Sequence, residues 1–451
     1  MFKNEVIFPK CMPLEIYTVG GFQEVGRNMT LIRYKNEAVV LDLGLHLDSY
    51  IPLINETQDV RFISRDDLLN SGAVPDITKV RHLLNEVKAI IPSHAHLDHV
   101  GAIPFFVKQF KNAEIIATPY TASVVKELER DISPKSELRV KVSRVNSRQI
   151  VSKHITIHFI ASSHSVPHTA FIVVQTPVGA VVYANDYKID FSPILGEKPN
   201  LKRLAKFKNP EVLIIDSLYA NCMGKTPSES VARVMLKDVL SEVNDLNSAI
   251  FVTTFSSHIA RLKSLVDIAK KLKREPIFIG RSLFKYIKAA ESTKLINFSS
   301  KYKLIRFNRQ LVRTLRKVER NKNKYLIICT GHQGEPNSIL SRIVFNDLFR
   351  FDRRDSVIFS SNIIPNPENI RNREKLKSAL ENKNINIFED VHVSGHASRQ
   401  DHKELLELLL PKRVIPAHSE YETALIFKNF VEQNFKKTKV ILASEGSSYQ
   451  I

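Results

Sequence analysis

The stretch His94-Ala95-His96-Leu97-Asp98-His99 places four metal-binding side chains within six positions, and no other segment restricts the fold and chemistry of this chain as tightly. The apolar run Val87-Lys88-Ala89-Ile90-Ile91 reads as a strand leading in, and Val100-Gly101-Ala102-Ile103-Pro104-Phe105-Phe106 reads as the start of a helix leading out. With His94 and His96 in extended backbone, the strand period of two sends both imidazoles to one face, where they reach a single cation. Asp98 and His99 then stand at the turn and point elsewhere. That favours a second cation beside the first over four adjacent ligands crowded on one ion. A polar helix cap with incidental histidines is the plainer alternative.

A two-ion site must draw further ligands from distant strand ends. Asp42 ends Ala38-Val39-Val40-Leu41, His164 follows the β-like run from Ile155 to Ala161, Asp186 follows Gly179 to Asn185, and His418 follows Arg413-Val414-Ile415-Pro416-Ala417. One such residue is an ordinary strand-terminal polar group, whereas four in the same placement predict convergence on one rim. The expected division gives one ion His94, His96 and His164 and the other Asp98, His99 and His418, with Asp186 bridging. Imidazole and carboxylate donors without thiolate favour zinc, with manganese or magnesium as alternatives. Two ions about 3.5 to 4 Å apart hold a hydroxide and polarise a phosphoryl oxygen, which suits in-line attack on a phosphodiester. The products would be a 5′-phosphate and a 3′-hydroxyl.

At 451 residues the chain exceeds the ~250–300 over which one core stops growing, so more than one domain is expected. No apolar run approaches the roughly 20 residues of a membrane helix, and residues 1–13 lack a signal-peptide core, which points to a cytoplasmic protein without membrane partners. Cys11, Cys222 and Cys329 are far apart and odd in number, so they are read as small core residues rather than a disulfide or thiolate-metal framework.

Charge is segregated. Of the net +19, residues 218–380 hold 31 Lys and Arg against 14 Asp and Glu, a surplus of 17. Lys270-Lys271-Leu272-Lys273-Arg274 and the helically spaced Arg309, Arg313, Arg316, Lys317 and Arg320 predict a basic face, and a polyanion is the natural partner of such a field. Residues 14–217 show many short β runs, whereas 218–380 alternate helix and strand in the manner of a parallel βαβ sheet. Thr226-Pro227-Ser228-Glu229 has a capping-box pattern with Pro at the first helical position. After about residue 381 the first pattern resumes in Ile385-Asn386-Ile387-Phe388, Arg413-Val414-Ile415 and Val440-Ile441-Leu442. The predicted organisation is therefore a first domain over 1–217 and 381–451, with a basic domain over 218–380 inserted. The insertion would make a cleft with metals on one wall and positive charge on the other.

These motifs resemble the metallo-β-lactamase superfamily, and the inserted segment resembles its nucleic-acid-processing β-CASP branch. The resemblance implies an α/β fold, an αββα sandwich carrying an inserted parallel-sheet domain. It implies that Asp42 orients ligand histidines, that Asp216 and His396 are catalytic beside Asp98, and that His418, rather than the valine of DNA-acting members, marks an RNA substrate. His396 would steady the scissile phosphate and protonate the leaving oxygen, with Asp216 holding its tautomer. Gly20-Gly21-Phe22-Gln23-Glu24-Val25-Gly26-Arg27-Asn28-Met29 and Thr330-Gly331-His332-Gln333-Gly334-Glu335-Pro336 resemble ribonuclease J signatures over essentially the whole chain. The family implies a 5′-to-3′ exoribonuclease hydrolysing 5′-monophosphorylated single-stranded RNA, with endonuclease cuts alongside, in RNA decay and maturation. Homodimers and RNA helicase or decay-complex partners accompany that reading.

The resemblance is to the shorter, archaeal-type members, for which no counterpart of the extra C-terminal domain of bacterial members is expected. Phe255-Ser256-Ser257-His258 and Ile364-Pro365-Asn366-Pro367-Glu368 also depart from the family patterns. Expected RNA and phosphate contacts are Ser257, Arg261, Gln333 and Glu335, together with Ser394, Gly395, His396, Ala397 and Ser398, the last five as a backbone-amide nest. Phe255 and Phe284 are candidate base-stacking platforms. Three other readings compete: a cleavage-factor type β-CASP endoribonuclease, a small-molecule hydrolase of the superfamily, and a non-catalytic RNA-binding protein.

Overall fold

The computed structural model describes residues 13–57, 59–135, 138–298, 302–306, 308–364 and 366–451, so Cys11 and Pro365 lie outside the described residues. Two seven-stranded sheets stack face to face. The first runs Ser447–Gln450, Leu14–Gly20, Met29–Tyr34, Glu37–Leu41, Val87–Ile91, Glu114–Ala117 and Val140–Val142, antiparallel up to Glu37–Leu41 and parallel beyond it. The second runs Lys439–Val440, Arg413–Ala417, Val212–Asp216, Gly179–Ala184, Ala170–Thr176, Thr156–Ala161 and Ser147–Ile150. It is parallel across its first four strands and antiparallel after them.

Alternation along each strand builds the layers. Ile32, Val39, Leu41 and Ile91 of the first sheet share one buried core with Phe159, Ile172, Tyr183 and Ile214 of the second. The opposite faces are covered by helices, through Ile103, Phe106, Tyr120 and Val124 on the first sheet and Leu405, Leu409, Phe427 and Val431 on the second. This is an αββα sandwich. Burial of both faces explains why runs such as Val212-Leu213-Ile214-Ile215 show no polar alternation.

The third sheet has six strands, all parallel, in the order Lys303–Ile305, Glu275–Ile279, Tyr325–Cys329, Ile250–Thr253, Ser356–Phe359, Asn386–Phe388. One face packs the helices Glu229–Glu242, Ile259–Lys271 and Arg281–Ser292 and joins the core beneath the first sheet. Ser292 is bonded there to Ser123 at 2.8 Å, and Lys285 pairs with Asp131. The other face packs Asn308–Glu319, Ile339–Phe345 and Pro367–Glu381 around a core that contains no sandwich residue.

Four expectations change. Asn386–Phe388, placed by its pattern among the returning strands, pairs parallel with Ser356–Phe359, so the chain leaves the third sheet after Phe388 rather than at 380. A short apolar run carries no information about which sheet edge accepts it. The helix Glu229–Glu242 is capped by Ser228, whose hydroxyl accepts from the Ser230 amide, and Pro227 precedes the cap; Thr226 instead donates to the carbonyl of His396 at 2.7 Å. Cys222 is exposed, while Cys329 is a buried core residue as expected. Finally, the exposed Arg309, Arg313, Arg316 and Lys317 lie on the helix Asn308–Glu319, whose apolar side packs on the third-sheet face remote from the sandwich, so they do not form the opposite wall of the cleft. No helix among the described residues is long and apolar enough to cross a membrane.

Candidate metal centre

Parallel strands deliver their C-terminal ends to one edge, and polar side chains gathered there make the natural site of such a sheet. Leu41 pairs with Ile91, which places Asp42 beside the loop that carries His94. In the second sheet Ala184 pairs with Ile215 and Asp216 with Ala417, which sets Asp186, Asp216 and His418 side by side. Asp42, Asp186 and His418 have φ of 58°, 52° and 54°, a left-handed backbone that turns each side chain off its strand. Such residues cost about 1–3 kcal/mol each and persist only where surrounding contacts hold them. The strand ends at Ile91, however, so His94 and His96 do not meet by strand periodicity. A bent loop brings them together, and His96, in extended backbone, is the N-cap of the short helix Leu97–Val100 that carries Asp98 and His99.

Two donor sets result. His94 Nε2 and His164 Nε2 each face His96 Nδ1 at 3.1 Å, and Asp186 Oδ2 lies 3.4 Å and 3.7 Å from those two Nε2 atoms. Asp186 also lies 3.2 Å from His99 Nε2 and 3.9 Å from His418 Nε2. Asp98 Oδ2 completes the second set at 3.5 Å from His99 Nε2 and 3.8 Å from His418 Nε2. Within each set the donor atoms lie within 4.8 Å of one another. Metal–nitrogen bonds of about 2.0–2.1 Å in a tetrahedral shell put ligand atoms about 3.3 Å apart, so the spacing fits. Asp186 Oδ1 is buried without a hydrogen-bond partner. A buried carboxylate oxygen with nothing to accept from fits a cation, and the cluster is compatible with a dinuclear metal site.

The imidazole nitrogens turned away from the centre are tethered. His164 Nδ1 donates to the Gly395 carbonyl at 2.8 Å, His94 Nδ1 lies 3.0 Å from Ser93 Oγ, and His96 Nε2 lies 3.2 Å from Ser165 Oγ. His99 Nδ1 donates to Asp42 Oδ2 at 2.7 Å, and the buried Asp42 also accepts from the Ser93 amide (2.7 Å), Ser93 Oγ (3.0 Å) and Tyr183 OH (2.8 Å). Such tethers fix tautomer and ring orientation. Burial, reinforced by neighbouring imidazoles, holds His94, His96 and His164 below the usual histidine range, so they present lone pairs. Burial opposes charge on Asp98 and Asp186, but His99 and His418 outweigh it and keep both carboxyls ionised.

His396 stands at the rim. Its Nδ1 donates to the buried Asp216 Oδ2 at 2.8 Å, and its ring stacks on His418 with centroids 5.6 Å apart and planes at 9°. Burial works against its charge, but Asp216 and Asp186 raise its pKa to about 9. Gly395 is obligatory by close approach, since a Cβ there would meet the His164 ring at 2.8 Å. The expected nest is partly consumed: the His396 amide donates to Ser394 Oγ (3.0 Å) and the Ser398 amide to Asp401 Oδ2 (3.1 Å), while Ala397 is buried.

Other expected RNA contacts serve the architecture. Arg261 is fully buried, pairs with Glu229 at 2.6 Å and donates to the Ser360 carbonyl at 3.0 Å. Gln333 is buried and bridges the Asn362 carbonyl (3.0 Å) and the Ile364 amide (2.9 Å). Ser257 is buried, and half-buried Glu335 accepts from the Gln333 amide at 3.2 Å. Phe255 is half-buried with its ring edge-on to His332 at 4.1 Å, and half-buried Phe284 has the Arg306 guanidinium 5.1 Å from its centroid.

Three residues were not anticipated. Asn28 donates to the Asp98 carbonyl at 3.0 Å, and its Nδ2 lies 3.1 Å from His99 Nε2 and 3.0 Å from His418 Nδ1. Asn185 donates to Asn28 Oδ1 and to Tyr183 OH, both at 2.9 Å, linking that contact to Asp42. Lys188, buried, donates to the carbonyls of Ser394 (3.0 Å) and Pro227 (3.1 Å). The glycine-bounded motif around Asn28 was the available signal for that residue; a single lysine after Asp186 gave none.

Sandwich, inserted parallel sheet and site together define a metallo-β-lactamase-type scaffold with a β-CASP domain. Family models match accordingly: the metallo-β-lactamase superfamily over residues 23–192, the ribonuclease J β-CASP domain over 247–375, and the Zn-dependent metallo-hydrolase RNA specificity domain over 384–443. The chain is 38% identical over 430 residues to ribonuclease J of Methanocaldococcus jannaschii, covering 94% of this chain and 95% of that one. It is also 38% identical over 424 residues to ribonuclease J of Pyrococcus abyssi, covering 93% of each. A bacterial relative, ribonuclease J of Mycoplasma genitalium, is 29% identical, with 96% of this chain matching 73% of that one. A crystal structure of a protein of unknown function from Enterococcus faecalis shares the fold, with a TM-score of 0.65 at 17% identity over 97% of this chain and all of that one. The chain belongs to the ribonuclease J family.

Proposed function

We propose that this protein is a metal-dependent ribonuclease that hydrolyses RNA phosphodiesters, acting 5′ to 3′ on single-stranded RNA with a 5′-monophosphate. The observation that carries the reading is the shared Asp186 between two donor sets, with the His396–Asp216 pair stacked directly on one of them. His94, His96 and His164 would hold one divalent cation and Asp98, His99 and His418 the other, with the Asp186 carboxylate within reach of both donor sets. An imidazole-rich donor set with carboxylates suits zinc, with manganese as the alternative. When bound, such a pair supplies a nucleophilic water at neutral pH and draws charge off a phosphoryl oxygen.

The chain's own residues do the rest. Asp42 fixes His99 so that Nε2 faces the centre. His396, with its proton held on Nδ1 by Asp216, is charged at neutral pH and presents Nε2–H to the scissile phosphate and then to the leaving 3′ oxygen. Support for RNA comes from the relatives' names, and the 5′-to-3′ direction rests on the resemblance carried by the Gly20–Met29 and Thr330–Pro336 motifs.

The test is a time course on 5′-end-labelled, monophosphorylated single-stranded RNA with zinc or manganese. Mononucleotide release from the first time point, slowed by a 5′-triphosphate, is expected. Internal fragments of discrete length would shift the reading to an endonuclease, and intact RNA under both metals would refute it.

A further inference from the structure

The surplus positive charge of the third domain is not where a cleft-bound substrate alone would require it. In a parallel sheet the C-terminal strand ends face one way, and here they carry the Thr254–His258 and Thr330–Gln333 loops; His258 lies 3.4 Å from Glu229, whose neighbour Pro227 shares the Lys188 ammonium with Ser394 beside His396. The N-terminal ends, at Ile250, Glu275, Tyr325 and Ser356, form the opposite pole, about 10–16 Å further along strands of four or five residues at about 3.3 Å per residue. Basic segments collect at that pole. Lys303 Nζ and Lys317 Nζ lie 5.5 Å and 5.7 Å from the Tyr325 ring centroid. Arg274, buried, ties the Lys270–Lys273 turn to the same place by donating to the carbonyls of Lys322 (3.1 Å) and Tyr325 (3.0 Å). From there the exposed stripe Arg320, Arg316, Arg313, Arg309 runs about 16 Å up the helix at 1.5 Å per residue, the length of several phosphates of a nucleic-acid strand.

A merely solvated helix face interleaves acids with bases at i, i+4 spacing. The helix Asn308–Glu319 has a single acid, Glu319, whose carboxylate accepts from the Arg350 amide. Among the described residues Arg313, Arg316, Arg320, Lys271, Lys273 and Lys324 form no ion pair, although each is exposed. Lys303 pairs with Glu275 at 3.1 Å and Lys322 with Asp352 and Asp355 at 2.7 and 2.6 Å, so the uncompensated charge is that of the arginine stripe with Lys271, Lys273 and Lys324, gathered at a cost that a polyanion removes.

We propose that this pole and the outer face of Asn308–Glu319 are a second RNA-binding surface, outside the cleft, that holds the phosphate backbone of transcript not yet threaded into the catalytic site. The proposal rests on the ribonuclease reading for the identity of its ligand. A long RNA then contacts the protein twice, and its residence rises by effective concentration without any change in chemistry at the metals.

The test combines Arg313→Glu, Arg316→Glu, Arg320→Glu and Lys324→Glu in the full chain, with unchanged melting as a check on folding. Binding by fluorescence anisotropy and steady-state cleavage are measured for a hexanucleotide and for single-stranded RNA of about 60 nucleotides over a range of salt. Expected are an unchanged hexanucleotide kcat/KM, a loss of about tenfold or more in affinity for the long RNA at 0.1 M salt, and a salt slope reduced by about 3. Equal losses at both lengths, or no loss at either, would overturn the proposal. Wild-type protein that binds the long RNA but cleaves neither substrate would defeat the catalytic reading alone, since the anisotropy arm still decides the second surface.

Discussion

At the scale of single residues, His396 decides what the site can do beyond holding cations. Bound dications would offset the charges of Asp98 and Asp186, which leaves Asp216 at 2.8 Å as the group that retains the proton on Nδ1. A histidine whose pKa is raised acts as an acid below that pKa and fails above it, so with Asp216 alone sustaining the charge beside bound cations, turnover is expected to fall along an alkaline limb that lies below the value of about 9 held without cations. Asp216→Asn removes the charge but keeps the shape, and should move that fall to lower pH by roughly 1–2 units with RNA affinity retained. A pH–kcat profile checks it; an unmoved alkaline limb would remove His396 from proton transfer. The donor residues themselves were legible because histidine and aspartate just past apolar runs are chemically conspicuous. The reason given for His94 and His96 was not sound, since a loop and not a strand joins them. Asn28 and His418 meet across 390 positions, a contact that local spacing cannot disclose.

Among elements, the junction between the helices Glu229–Glu242 and Ile259–Lys271 shows how a motif can mislead about role. Arg261 is an arginine beside a phosphate-binding family motif, yet its guanidinium is wholly enclosed by Glu229, Ser360 and the carbonyl of Val391. Arg261→Met strands the Glu229 carboxylate and is expected to destabilise the fold by about 3–5 kcal/mol in denaturant unfolding, with RNA affinity of the folded protein unchanged. Adding Glu229→Gln should recover much of that loss. A large drop in affinity at full stability would return Arg261 to the RNA. Strand and helix order was readable along most of the chain, because buried parallel strands are plain apolar runs and amphipathic helices keep their period. The sheet edge that takes Asn386–Phe388 and the true cap at Ser228 were not readable, because pairing and capping are settled by tertiary neighbours.

For the whole molecule, the catalytic edge is assembled from two sheets whose strands end together, and it concentrates strain and like groups in one place. Three left-handed residues and five imidazoles converge on a carboxylate with an unpartnered oxygen. Without cations that arrangement is held by the tethers of Ser93, Asp42, Gly395, Ser165 and Asn28. Ligands that bind only the folded state stabilise it by mass action, about 2.7 kcal/mol per site at a hundredfold excess over Kd. Chelation should therefore lower the melting temperature by several degrees and abolish cleavage while leaving RNA affinity nearly intact, because the basic surfaces lie on another domain. Re-addition of zinc or manganese should restore both properties with a stoichiometry of two, read by calorimetric titration. A chain that melts identically before and after chelation would mean that the strained edge is supported by its hydrogen bonds alone, and that the converging imidazoles have some task other than holding metal.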